Sequence, residues 1–139
     1  MQSASKRLLC CAFLLSVGNF WGCSSDEHEH EGTPTQSTCP TDSTLTYENF
    51  GQKFMSDYCT RCHSSTLSGA DRHDAPDGHD FDTLAGILRV AEHVDEHAAA
   101  GPAAVNTLMP PDAPRPTEAE RRQLGEWLAC ELGAGGAHD

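Results

Sequence analysis

The run Cys59-Thr60-Arg61-Cys62-His63 brings two thiols and an imidazole within five residues. Its two thiols lie about one helical turn apart, and the next residue brings an imidazole to the same face. Thiols so placed can add across the two vinyl groups of one haem, with the imidazole ligating iron from the same side. C-x-x-C-H is the order used for covalent haem attachment. Three other chemistries use the same residue types. A redox dithiol needs a βαβ frame, which the hydrophobic pattern lacks. Half a zinc site needs two more ligands, and no second motif pairs with this one. The third is a structural disulfide within the motif. The spacing favours one covalent haem (heme c), held by Cys59 and Cys62 with His63 as a metal ligand.

A haem with both axial positions filled needs a second ligand. Met109 lies 46 residues after His63, in Asn106-Thr107-Leu108-Met109-Pro110-Pro111. The two prolines rule out helix there and stiffen the loop, which suits a rigidly presented thioether. Such a soft ligand raises the potential and blocks O₂ from the sixth site. A Met filling a core gap is the plainer alternative. The competing ligands are His73, His79, His93 and His97. The last two share one face of an acidic helix, a face expected to be solvated.

Three helices are expected to position these groups. Over 47–58, Tyr47, Phe50, Phe54 and Tyr58 recur at spacings of 3, 4 and 4, with Thr44 or Thr46 as cap. Gly51 costs this helix about 1 kcal/mol against Ala, which implies close approach by another backbone or ring. Over 82–99, Leu84, Ile87, Leu88, Ala91, Val94 and Ala98 form a stripe that follows Asp82 or Thr83 as cap and ends at Gly101-Pro102. Over 118–132, Leu124, Trp127, Leu128 and Leu132 face inward. Thr117-Glu118-Ala119-Glu120 is a capping box, and Gly133 ends the helix. No segment alternates with period two, so the fold class is all-α. Three helices and two long loops make a thin core, which calls for a cofactor in the middle.

The N-terminal third has a different composition. Lys6-Arg7 followed by an apolar run from Leu8 to Val17 reads as a signal peptide over 1–22, too short to span a bilayer. The stretch Phe20-Trp21-Gly22-Cys23-Ser24 resembles the lipobox of bacterial lipoproteins, although Phe20 and Trp21 depart from its usual residues. That resemblance implies lipidation at Cys23, and Ser24 after it favours the outer membrane. Residues 23–45 read as a polar linker, since Ser24 to Ser43 contains no Leu, Ile, Val, Phe or Trp. His28 and His30 alternate with acids there, a composition for weak metal binding or, more simply, a solvated spacer. The folded domain is expected over 46–133, with a tail at 134–139.

Taken together, the chain resembles a class I, mono-haem bacterial cytochrome c carried on a lipoprotein tether. In that family a first helix bearing Gly eight residues before the first haem Cys crosses a C-terminal helix bearing an aromatic residue. Gly51 and Trp127 match, and the likeness covers about 47–132. It implies a small cytochrome c-like domain of about three helices around one haem, with Cys59 and Cys62 as the haem thiols and His63 and Met109 as axial ligands. It also implies a proline carbonyl orienting the proximal imidazole, for which Pro76 is the candidate. The loop 64–80 departs from the family. Because the first and last helices would cross, Cys39 and Cys130 are expected to form a disulfide. That bridge would close a loop of 91 residues, worth about 3–4 kcal/mol in an entropic account.

The functional expectation is an exported, lipid-anchored carrier of single electrons on the periplasmic side, not an enzyme. The alternative is a haem enzyme or ligand sensor with a displaceable or non-Met sixth ligand, served by Arg115 or His79. Nine Lys+Arg against 21 Asp+Glu argue against nucleic acid. The formal charge is −12, and losing 1–22 removes Lys6 and Arg7 but no acid, leaving −14. A redox partner with a basic docking patch is therefore expected.

Overall fold

The computed structural model describes residues 32–135; the expected signal peptide, Cys23, His28 and His30 lie outside them. The described residues are mainly helical and contain no strand, only an isolated bridge between Ala100 and Val105. The chain is all-α. No helix among these residues is long and apolar enough to cross a membrane.

A π-helical turn, Tyr47–Gly51, runs directly into α1, Gln52–Tyr58. Thr46 caps it through a box that the sequence pattern did not reveal: Asn49 N–H donates to the Thr46 hydroxyl (3.2 Å), and Thr46 N–H donates to the Asn49 amide oxygen (2.8 Å). A 3₁₀ turn, Gly69–Arg72, lies in the following loop. The expected second helix is divided into α2, Leu84–Leu88, and α3, Ala91–Ala98. Val90 leaves helical geometry between them (φ −130°, ψ 32°), so two short helices deliver the single apolar stripe. The last helix, α4, spans Glu118–Gly135, and Gly133 does not end it.

The core gathers Phe54, Met55, Ile87, Ala91, Val94, Ala98, Leu124, Trp127 and Leu128. Leu132, expected inside, is 49 % exposed. The helix outlasts the core it packs on. Gly51 explains the crossing of the first and last helices: a Cβ there would stand 2.7 Å from Cε2 of the fully buried Trp127 ring.

The linker expectation changes most. Residues 32–45 are largely exposed but are tied to the helices at several points despite their polarity. Thr35 is fully buried, its N–H and hydroxyl donating to the Asp95 carboxylate (2.8 and 2.6 Å). Asn106 Nδ2 donates to the Thr33 carbonyl (2.7 Å), and Ala103 N–H to the Thr35 carbonyl (3.0 Å). Gly101 makes room for this strap, since a Cβ there would stand 2.6 Å from the Thr35 carbonyl oxygen. The Cys39–Cys130 disulfide, with Cα atoms 4.6 Å apart, fastens it to α4. Hydrogen bonds and a covalent tie here do what apolar burial does elsewhere.

Candidate functional site

The motif residues follow α1 in a continuing turn. Cys59 N–H and Thr60 N–H donate to the Met55 carbonyl, while Cys62 N–H (3.1 Å) and His63 N–H (3.0 Å) both donate to the Cys59 carbonyl. Cys59 and Cys62 are separate thiols rather than a disulfide. Burial pushes the Cys59 thiol up to about 12, with the charges of Arg61 and Arg121 opposing that rise. It is held as a neutral thiol.

His63 is fixed from two sides. Its ring stacks on Phe81 (centroids 4.5 Å apart, planes 12° apart), and Phe81 N–H donates to the His63 carbonyl (2.9 Å). Its Nδ1 lies 3.1 Å from the His79 carbonyl oxygen. A carbonyl can only accept, so Nδ1 carries the hydrogen and Nε2 keeps its lone pair. Burial lowers the His63 pKa, partly offset by this hydrogen bond, which keeps the imidazole neutral and able to ligate. The orienting carbonyl is thus that of His79, not Pro76. The Pro76 carbonyl instead accepts from Arg72 Nη2 (2.9 Å) and from His79 N–H (3.2 Å).

Arg72 organises the loop that supplies this carbonyl. It is 5 % exposed and also donates to the carbonyls of Ser64 (2.8 Å) and Ala75 (3.2 Å) and to the Asp80 carboxylate (2.8 Å). It is the sole cation in the otherwise acidic stretch 64–80, a signal the sequence carried. Buried Arg121 had no such signal. Its Nη1 donates to the carbonyls of Ala98 (2.7 Å), Asn106 (3.0 Å) and Met109 (2.8 Å).

Cys59, Cys62, His63 and Met109 all line one cavity of about 450 Å³ with a mainly apolar wall that includes Phe81, Val94 and Pro110. That volume lies in the range of cofactor sites. His73, His79, His93 and His97 reach the same cavity; His93 and His97 are half-buried on its wall rather than on a fully solvated face. Their rings form a file, His79 to His93 at 5.1 Å and His93 to His97 at 6.0 Å. Arg115 is not on the cavity wall. Arg61, within the motif, reaches across to donate to the Asp112 and Ala113 carbonyls (2.7 Å each), tying the cysteine turn to the Met109 loop.

Among the described residues no three His, Cys, Asp or Glu side chains form a group that could hold a metal ion. The cavity offers five imidazoles, of which that of His63 is clamped from two sides, together with one thioether, two thiols and a mainly apolar wall. That donor set fits a metal already carried by a planar macrocycle. No family model, no curated protein and no solved structure matches this chain.

Proposed function

We propose that the chain is a mono-haem c-type cytochrome that transfers single electrons, exported and held to a membrane through lipidated Cys23. One observation carries the reading: both motif thiols, the clamped imidazole of His63 and the thioether residue Met109 line a single apolar cavity. Cys59 and Cys62 hold the haem through thioether bonds. His63 ligates iron through Nε2, its tautomer set by the His79 carbonyl. Met109 is the sixth ligand, on a loop tied to the cysteine turn through Arg61. Haem, when bound, supplies an iron that gains and loses one electron with its coordination unchanged. Phe81, Val94 and Pro110 keep its surroundings apolar, which limits water around the changing charge.

The test is expression with export in a bacterium that matures c-type cytochromes. One haem should remain on the denatured chain, and replacing Cys59 and Cys62 by Ser should abolish that attachment. Recovery of the exported chain with both thiols free to alkylate would overturn the reading. Met109→Ala should remove the sulfur-to-iron charge-transfer band of the oxidised protein. If that band is already missing, with high-spin iron, the haem enzyme or sensor reading gains.

A further inference from the structure

We infer that Arg121 is the positioning residue for Met109, holding the loop that brings its thioether to the cavity. This rests on the haem and Met109 reading above.

Met109 is followed by two prolines, which have no N–H to donate, so the chain beyond it cannot join a main-chain ladder. On its N-terminal side Met109 N–H donates to the His97 carbonyl of α3 (2.9 Å). On its carbonyl side the partner is Arg121 from the first turns of α4 (2.8 Å). The same Nη1 collects the carbonyl of Ala98, the last residue of α3 (2.7 Å), and that of Asn106 (3.0 Å). Asn106 N–H donates in turn to the Ala99 carbonyl (2.9 Å). One guanidinium thereby locks three points of 98–109 in register between two helices.

Arg121 is 2 % exposed, and all its hydrogen bonds run to main-chain carbonyls. Burying a cation this way is costly, and an apolar side chain would pack α4 at less cost. All three bonds come from Nη1, whose place is fixed by the planar guanidinium frame, whereas an ammonium on a flexible stem is not so fixed. A loop held at three points presents its side chain with less entropy left to lose on ligation. The hydrogen bonds of Met109 to the His97 carbonyl and from Arg121 are what fix its main chain in this loop.

The experiment is an imidazole titration of the oxidised, haem-loaded protein, followed by absorption, because added imidazole competes with Met109 for iron. Arg121→Lys and Arg121→Met should bind imidazole about tenfold more tightly than the unsubstituted chain, the equivalent of losing one charge-assisted hydrogen bond. Ile87→Ala, in a fully buried site that does not line the cavity, should lower thermal stability but leave the imidazole midpoint unchanged. Unchanged midpoints in both Arg121 variants, or an equal shift in Ile87→Ala, would overturn the inference while leaving Met ligation intact. Absence of the sulfur-to-iron band from the unsubstituted protein would instead overturn the Met109 reading, and this inference with it. If Arg121→Met does not accumulate with haem, Arg121→Lys decides.

Discussion

The contact between Gly51 and Trp127 shows how much a single residue decides. Any Cβ at position 51 would be driven into a ring that is fully buried and boxed in by Tyr47 and Phe50 (centroids 6.4 and 6.2 Å away). Alanine would improve helix propensity by about 1 kcal/mol. Overpacking a rigid aromatic costs about 1–3 kcal/mol, and the ring has nowhere to go, so the clash wins. Gly51→Ala should therefore lower the melting temperature by several degrees in a thermal scan followed by circular dichroism. A variant that melts at or above the original temperature would show that the helices can slide apart freely. Glycine in a helix signalled a close approach, but the sequence did not say which ring or backbone would fill the space.

Among elements, the start of α4 links most of the molecule. Thr117 N–H and its hydroxyl donate to Glu120 Oε2 (2.8 and 2.7 Å), and Glu120 N–H donates to the Thr117 hydroxyl (3.3 Å), so the expected capping box is present. Glu120 also accepts from the Tyr58 hydroxyl at the end of α1 (2.9 Å), joining the first and last helices. These hydrogen bonds, chiefly those from Thr117, hold the Glu120 carboxyl below the usual carboxylate range. A depressed carboxylate stabilises fully above its unfolded value of about 4.3, and the benefit fades as pH falls through the lower folded value. Glu120→Gln should destabilise the protein at neutral pH by about 0.5–2 kcal/mol. The deficit should shrink when unfolding is repeated at about pH 3; a deficit independent of pH would assign the loss to shape rather than charge. The divided second helix belongs to this scale too. Its apolar spacing was continuous through Arg89-Val90, and only the separate packing of α2 and α3 shows the break.

For the whole molecule, the strap over 32–45 and its disulfide govern stability, and net charge governs encounters. Cys39 and Cys130 are 91 residues apart, so the bridge restrains most of the unfolded chain. Dithiothreitol, or the paired change of both residues to Ser, should cost about 3–4 kcal/mol, seen as a lower denaturant midpoint. Equal midpoints with and without reductant would assign the strap's hold to Thr35–Asp95 and its neighbours alone. At −12, rising in magnitude to −14 without the first 22 residues, the chain should meet a basic partner through long-range attraction. On the electron-carrier proposal, exchange with such a partner should slow as ionic strength rises from about 0.01 to 0.5 M, where the Debye length shrinks several-fold. Rates flat across that range would remove charge from the account of docking.

Residue type and short-range spacing determined, by themselves, the C-x-x-C-H pattern at Cys59, Cys62 and His63, the apolar stripes of the helices and the box at Thr117 and Glu120. Each of those rests on neighbours within about four residues, and local geometry reads them directly. Tertiary structure alone decided that His79, not Pro76, supplies the carbonyl to His63, and that the polar stretch around Thr35 docks on Asp95. It also decided that His93 and His97 share the cavity wall and that Arg121 closes on Met109. Those outcomes turn on which carbonyls and carboxylates meet across long sequence separations. Hydrogen-bond partners at that range leave no periodicity in the chain; they are fixed only when the helices cross.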